Sequence, residues 1–410
     1  MRLCIFSDTH LGFGQGTERE QESFENTRKA LEICLGQKAD CILLLGDIFD
    51  ESVPTQETWR EAFNAFSVVR NHASRLKARR IKNGKEESLQ LPHLPVISIH
   101  GTHEFRGKRF ANALEVMEKA GFLHYLHAGC IELEKDGDFL AIHGLGGVPE
   151  KKALDALKMF GPKPFPGKTN ILALHQSIKE LLPFGDEMTA SISFSDLPDG
   201  FGLIANGHFH WHMMHELGNK KFFIPGSTIV TQMKRLEAEK PKGAFMFDTK
   251  TMKYDFFELP GQRKLLYETI TFENASAKEI KEKTRETLEK LLGAGGFQKK
   301  PLVRIKLKGT LAKGVSLPDA SPQEIVKEFE ERAIVSVGSD FSQNSFKKRV
   351  EELRRLQRNR KSIAEIGIEL LEKNISETGF DNSLDVRELF SLLEEGKIDE
   401  AILLLSKKKN

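Results

Sequence analysis

Over the first 262 positions the apolar residues gather in short unbroken runs. These are Leu3–Phe6, Cys41–Leu45, Val96–Ile99, Phe139–Ile142, Ile171–Leu174, Phe201–Ile204 and Phe222–Ile224. A strand with one wet face alternates apolar and polar side chains; a run that is apolar at every position needs cover on both faces. Helical periodicity fills intervals between the runs, as from Glu20 to Leu35 and from Gln56 to Arg70. The pattern predicts an α/β layered domain over residues 1–262, with helices flanking two central sheets or one large one.

After Gln262 the rhythm changes. Leu266–Phe272 reads as a strand. Ser276 and Glu279 have capping-box spacing and open a helix that stops near Gly293. Val303, Ile305 and Leu307 then alternate with Arg304, Lys306 and Lys308, the mark of a half-buried strand. Ser321, Pro322 and Glu324 start another helix, with proline at its first position. Residues 263–335 therefore read as a small α+β domain, and the Ser-, Asn- and Gly-rich stretch Gly338–Ser345 as a linker. Further on, Ile363, Ile366 and Leu370, then Val386, Leu389, Phe390 and Leu393, recur at helical spacing, separated by a break at Asn374–Ser383. Two helices this short cannot bury their apolar stripes alone. The tail, 336–410, is expected to pack on the body or on a partner.

Composition narrows the class. The 410 residues are 39% hydrophobic and 29% charged, which fits a soluble protein of two or three domains with a substantial core. The start has no signal-peptide pattern, and no run approaches the roughly 18 apolar residues of a membrane span. The expectation is a chain that is not secreted and acts in the cytoplasm, associated with the nucleoid, or in the nucleus. With a net charge of only +2, any nucleic-acid surface must be a local patch. Cys4, Cys34, Cys41 and Cys130 lie far apart without a CxxC and read as reduced core residues rather than a disulfide or a zinc ribbon.

The chemistry sits where the apolar runs end. Leu3–Phe6 leads to Ser7-Asp8-Thr9-His10, and Cys41–Leu45 to Gly46-Asp47-Ile48-Phe49-Asp50. Val96–Ile99 leads to His100-Gly101-Thr102-His103-Glu104, Ile171–Leu174 to His175-Gln176, and Phe201–Ile204 to Asn206-Gly207-His208-Phe209-His210. Open α/β sheets form ligand sites beyond the carboxyl ends of their strands. Five strands thus deliver carboxylates and imidazoles to one edge. Two divalent cations about 3.5–4 Å apart can clamp a phosphate and activate a water, and they need such donors, one of them bridging. Asp47, at the end of the most apolar strand, is the natural bridge. A single Asp-x-His is weak, and a lone strand-end aspartate is as often a helix cap. The ordered set is specific.

That order is the signature of the calcineurin-like metallophosphoesterase superfamily, which the sequence resembles. Ala141-Ile142-His143-Gly144-Leu145-Gly146, Leu174-His175-Gln176-Ser177, Gly207-His208-Phe209-His210 and Ile224-Pro225-Gly226-Ser227-Thr228 are similar to segments of the SbcD / meiotic-recombination-eleven nucleases, which repair DNA double-strand breaks. The likeness covers about residues 1–250 well and the rest by layout only. It implies a four-layer β-sandwich flanked by helices, a small α+β capping domain (263–335) that binds DNA, and a helical C-terminal tail (336–410). It implies a manganese-dependent 3′-to-5′ exonuclease and endonuclease with two Mn2+, although the donor set does not exclude magnesium, iron or zinc. Asp8, His10 and His210 would bind one metal, His175 and His208 the other, and Asp47 both. His103 would orient or protonate the scissile phosphate and its leaving oxygen. The implied partners are DNA ends, a coiled-coil ABC-type ATPase (SbcC or Rad-fifty) bound through the C-terminal helices, and a second copy of the chain.

Two positions depart from the family. Thr102 stands where an asparagine usually ligates the second metal, so that metal is expected to be held loosely. Asp50 stands where many members carry histidine. Of the basic segments, Arg75–Lys85 and Lys347–Lys361 read mainly as solvated helix faces. Arg304, Lys306 and Lys308, on one strand face, are the better-organised DNA candidates. The 29 phenylalanines read mostly as core, and with three tyrosines and two tryptophans no base-stacking platform is expected. The alternatives are a general metallophosphoesterase, either a phosphatase or a cyclic-nucleotide phosphodiesterase, and a DNA-end scaffold with a weakened second metal site.

Overall fold

Each apolar run becomes a strand because both of its faces are covered. In the computed structural model, which describes residues 1–107, 109–182, 192–218 and 220–342 together with 368, 386–394 and 398, two sheets stack face to face. One has six strands in the order Lys253–Glu258, Gly243–Asp248, Arg2–Phe6, Cys41–Leu45, Val96–Ile99, His124–Tyr125. The other has eight, in the order Met213–Leu217, Lys220–Ile224, Leu203–Asn206, Thr169–Leu174, Asp138–Leu145, Gly129–Lys135, Lys77–Lys82, Lys85–Leu89. Side chains alternate across a strand. Leu3, Ile5, Leu43 and Leu45 of the first sheet therefore meet Ile142, Ile171, Ala173 and Phe223 of the second between the layers. Cys4, Phe6, Ile42 and Leu44 point outward under Leu31, Ala62 and Leu114, which come from the helices Glu22–Gly36, Gln56–Phe66 and Ala113–Lys119. On the far side Leu172, Leu174, Ile204 and Phe222 pack with Ala153 and Leu157 of the helix Glu150–Phe160. The result is the four-layer α/β sandwich that the runs and the resemblance predicted. Each fully buried Leu, Ile or Phe contributes about 1.5–3 kcal/mol.

The chain forms two compact units, the first comprising 1–267, 294–304 and 332–334, the second 268–293, 305–331 and 335–410. The strands Leu265–Ala275, Leu302–Leu311 and Ile334–Ser342, most of whose residues belong to the second unit, form a three-stranded sheet. The helix Ala277–Gly293 stops where expected. Its Glu279 N–H donates to Ser276 Oγ at 3.2 Å, and Ile280, Thr284, Leu288 and Leu292 are buried at a four-residue spacing. Ion pairs Arg285–Glu328 (2.6 Å) and Lys281–Glu324 (2.8 Å) tie it to the helix Gln323–Glu328. Val303, Ile305 and Leu307 are fully buried while Arg304, Lys306 and Lys308 are half-buried, so the alternation read from the sequence holds.

Four expectations need correction. Gly338–Ser342, read as linker, completes the strand Ile334–Ser342. Pro322 caps its helix instead of occupying the first helical position. The basic run Arg75–Lys85 is not a helix face: it contributes the strand Lys77–Lys82, which pairs antiparallel with Lys85–Leu89 across an Asn83-Gly84 turn. Both turn residues have positive φ (50° and 71°), as a two-residue type I′ hairpin requires. Two of its three arginines are already paired, Arg79 with Glu86 and Glu132, and Arg80 with Glu87 and Glu118, which weighs against a phosphate-binding role for the strand. Finally, Cys4 and Cys34 form a disulfide, because the strand Arg2–Phe6 packs directly under the helix Glu22–Gly36 and brings their Cα atoms to 5.6 Å. Cys41 and Cys130 remain free and buried. The second basic run, Lys347–Lys361, and the first tail helix lie outside the described residues.

Thiol titration of the purified, denatured protein without reductant is expected to count two reactive thiols per chain. Four would contradict the Cys4–Cys34 bond.

Candidate metal centre

Parallel strands in register deliver their carboxyl ends to one edge. Arg2–Phe6, Cys41–Leu45 and Val96–Ile99 do so in the first sheet, Thr169–Leu174 and Leu203–Asn206 in the second. The two edges meet through direct bonds. The ring of His175 donates from Nδ1 to the Leu45 carbonyl at 2.5 Å, and the His208 amide donates to Asp8 Oδ2 at 3.2 Å. The backbone is bent to allow this. Asp8 (φ 51°), His10 (45°), Asp47 (48°) and His208 (76°) all adopt left-handed conformations. Such conformations are uncommon for residues other than glycine, cost on the order of 1–3 kcal/mol each, and cluster at functional sites. Glycines make the close approaches possible. A Cβ on Gly207 would lie 2.2 Å from the Leu45 carbonyl oxygen and 2.6 Å from His175 Nδ1; one on Gly101 would lie 2.1 Å from Asp47 Oδ1.

Three groupings of three donors result; two of them share no residue and form the candidate metal sites, and the third joins His10 to Asp50 and His103. In the first, ligand atoms of Asp8, His10 and His210 all lie within 4.8 Å of one another. His10 Nδ1 donates to Asp50 Oδ1 (3.0 Å), which leaves Nε2 as the lone-pair nitrogen. His210 Nδ1 meets the Thr231 hydroxyl at 2.8 Å with the Glu237 carboxylate 3.7 Å away, which likewise favours the proton on Nδ1. The two Nε2 atoms then face each other at 3.2 Å. Two lone pairs so placed repel unless something positive lies between them. Asp8 Oδ1 is buried without a hydrogen-bond partner, 3.6 Å from His210 Nε2. A divalent cation satisfies all three atoms. A single proton is the lesser solution: burial holds the pKa of His210 down, whereas for His10 the Asp50 bond and the charges of Asp47 and Asp8 outweigh burial and raise it.

The second cluster is Asp47, His175 and His208, within the same 4.8 Å limit. His175 Nδ1–H is committed to Leu45, so Nε2 presents a lone pair to Asp47 Oδ2 at 3.1 Å. Burial disfavours a charged His175, but Asp47 and Asp8 pull its pKa up to about 10, and His175 in turn holds the buried Asp47 well below the usual carboxylate range. A cation fits where that extra proton sits, between Asp47 Oδ2 and His175 Nε2. The Ser177 hydroxyl gives its proton to Glu150 (2.7 Å), so at its 3.0 Å contact His208 Nε2–H must be the donor, leaving Nδ1 to ligate. Burial, then the nearby His175, lowers His208 to about 3, so its ring is neutral. These donors fit a pair of hard-to-borderline divalent ions.

The remaining predicted residues divide. Thr102 is exposed, and its hydroxyl donates to Asp47 Oδ2 at 3.4 Å. The His103 amide donates to Asp47 Oδ1 (2.8 Å), its ring Nδ1 donates to the Asp50 carbonyl, and its ring lies 4.8 Å from that of His10. Asp50, identified in the sequence only as a departure, therefore orients both rings. Arg304, Lys306 and Lys308 belong to neither cluster, and Lys306 lies 3.8 Å from Asp340.

Sequence reasoning missed the supports. Glu104 is fully buried, and its carboxylate accepts from the amides of Asp47 (3.1 Å), Phe49 (2.7 Å) and Gly101 (2.7 Å), pinning the two metal-side loops together. Burial, then the charge of Asp47, raises its pKa to about 7. Lys242, also buried, donates to the His210 carbonyl (2.6 Å), to Ser227 Oγ (2.8 Å) and to Glu237 (2.9 Å). The signal for Glu104 was present in the sequence, an acid directly after His103 at a strand end. For Lys242 and Glu237, far along the chain, nothing in the spacing pointed to the site. Glu104→Gln keeps the shape but turns an amide NH2 toward backbone donors. It is expected to destabilise the fold by about 1–3 kcal/mol for each bond lost and to weaken metal binding. Unchanged denaturant unfolding and metal affinity would show that Glu104 does not hold these loops.

The model of the calcineurin-like phosphoesterases matches residues 1–212. Among curated proteins, the double-strand break repair protein MRE11 of Encephalitozoon cuniculi is 24% identical, over 72% of this chain and 53% of that protein. The DNA double-strand break repair protein Mre11 of Saccharolobus solfataricus is 27% identical, over 60% of each. That of Thermoplasma acidophilum is 26% identical, over 77% of this chain and 79% of that protein. The chain thus spans between about half and three fifths of the length of the first two relatives. The matched residues take in every strand-end motif from Asp8 to His210 and half of the sequence: the chain belongs to the calcineurin-like phosphoesterase family.

Proposed function

We propose that the chain is a two-metal DNA nuclease that processes double-strand-break ends. The observation that carries this is the pair of three-donor clusters, in which buried lone pairs and the orphaned Asp8 Oδ1 converge. The similarity to Mre11 proteins, over 60–77% of the chain in the three relatives described, supports DNA as the substrate. Two bound cations, manganese by the family's preference, would polarise the phosphodiester, neutralise its oxygens and lower the pKa of the attacking water.

The chain's own residues do the rest. Asp8, His10 and His210 hold one ion and His175 and His208 the other, with the Asp47 carboxylate shared. Asp50, Thr231, Ser177 and the Leu45 carbonyl fix the ring orientations, so that each ring turns one defined nitrogen toward the metal position; at His175 the proton that Asp47 holds on Nε2 would have to leave before an ion could bind. His103 has Nδ1–H committed to the Asp50 carbonyl, so Nε2 is its free ring nitrogen, and in the imidazolium form that atom can give a proton to the leaving oxygen. Thr102 spends its hydroxyl on Asp47, which leaves the second ion one donor short of the family pattern.

The same reading extends to partners. Arg304, Lys306 and Lys308 contact DNA phosphates from the capping domain. The C-terminal helices dock the coiled-coil ABC-type ATPase, and the nuclease acts as a homodimer. Of the tail, the helix Val386–Glu394 is amphipathic and leaves Leu393 exposed, which supports helix-in-groove docking. Among the described residues no helix is long and apolar enough to cross a membrane. Action on chromosomal DNA, in the nucleoid or the nucleus, belongs to this proposal.

The test is hydrolysis of 3′-recessed duplex DNA beside p-nitrophenyl phosphate, with manganese. Wild type is expected to cleave the DNA. Asp47→Ala should lose both activity and bound metal, and His103→Ala should lose about 10²–10⁴ in rate while keeping its metal. A wild type that hydrolyses only the small ester, or an active Asp47→Ala, would overturn the proposal. For the second ion, calorimetry with manganese should resolve a weaker site that tightens in Thr102→Asn. Two sites of equal affinity in both proteins would remove the idea of a loosely held metal.

A further inference from the structure

The loop that follows His103 holds its largest apolar side chains out in solvent. Its start is rigid, since Glu104 is pinned by three amides and the Phe105 amide turns back to the Thr102 carbonyl. Yet Phe105 is 43% exposed and Phe110 62%. Many other rings of the chain are fully buried, as at Phe6, Phe49 and Phe66, and Phe110 is more exposed than Phe139 at 39%. The aromatics are interleaved with cations. The Arg106 guanidinium lies 4.9 Å from the Phe110 ring centroid and donates from Nη1 to the Ala111 carbonyl at 3.1 Å, so the stacked pair is pre-ordered. Arg109 is exposed and makes no ion pair among the described residues. The Phe110 amide closes the turn on the Gly107 carbonyl at 2.9 Å.

An exposed ring covered by an arginine suits a flat, π-faced ligand carrying negative charge nearby. Only Glu104 separates Phe105 from His103, so whatever covers this loop lies at the mouth of the metal centre. A protein seated there would obstruct the path of a phosphodiester, whereas a nucleic-acid strand would follow it. On the reading of the site as a DNA nuclease, we propose that Phe105 and Phe110 form a stacking platform for unpaired bases at a DNA end, with Arg106 and Arg109 taking the flanking phosphates. The platform selects frayed or single-stranded ends and holds them beside His103. It also amends the expectation from aromatic content, because two phenylalanines assigned to the core by number are surface residues by position.

The test uses the full chain without divalent metal, so that DNA is bound but not cut. Fluorescence anisotropy compares a duplex bearing a short 3′ overhang with the same duplex made blunt. Phe105→Ala and Phe110→Ala are each expected to lower the overhang-to-blunt affinity ratio about tenfold, in the range of base–aromatic stacking, and Phe110→Trp should keep it. Both rings are exposed, so unfolding midpoints identical to wild type confirm that the variants are folded. A ratio unchanged in both alanine variants would overturn the platform, and so would a tryptophan variant that loses as much as alanine. A shift from dimer to monomer in sedimentation of Phe110→Ala would also overturn it, by making the loop a subunit contact. If wild type cuts DNA normally, these failures leave the nuclease reading standing; a wild type that neither binds nor cuts DNA ends both.

Discussion

Buried carboxylates and imidazoles cannot sit with their lone pairs facing one another unless positive charge lies between them. That constraint organises the large unit. The Nε2 atoms of His10 and His210 face each other at 3.2 Å, Asp8 keeps one oxygen without a partner, and Asp47 faces the lone pair of His175. Protons answer this only in part, since one between His175 and Asp47 pairs those two groups but Asp8 Oδ1 keeps no partner. The fold bears the cost of assembling these groups in four left-handed residues and in the crowded glycines Gly101 and Gly207, and offsets it through apolar layers on the outer faces and a buried core between the sheets.

Around each ligand a support decides which nitrogen is free. Asp50 serves His10, Thr231 and Glu237 serve His210, Leu45 serves His175, and Ser177 with Glu150 serves His208. These contacts tie the site to elements far from it in sequence, including the segment 227–242 beyond the matched family residues. Lys242 is the clearest case. It is a buried cation that touches no predicted ligand side chain but holds the backbone carbonyl of one, and it is balanced by Glu237.

Much of this was legible in the sequence. The runs at Leu3, Cys41, Val96, Phe139, Ile171, Phe201 and Phe222 all lie at or beside strands, because strands covered on both faces are built mainly from apolar residues. The strand-end motifs meet because parallel strands share an edge. What was not legible depends on tertiary distance. Cys4 and Cys34 are thirty positions apart and become neighbours only when a helix lies on a strand. The basic run before Asn83-Gly84 lacks apolar alternation, so the hairpin signal had to come from the turn itself. Gly338 and Ser339 look like linker by composition, but cross-strand pairing overrides that weak preference. Glu104 was read as part of a motif, whereas its role is to gather three amides, which no spacing rule reveals.

Anomalous diffraction from crystals grown with manganese reads the constraint at its source. Two peaks are expected about 3.5–4 Å apart, one among Asp8, His10 and His210 and the other among Asp47, His175 and His208. The absence of density between the facing nitrogens of His10 and His210, or manganese bound elsewhere with these six side chains left paired to one another, would contradict it.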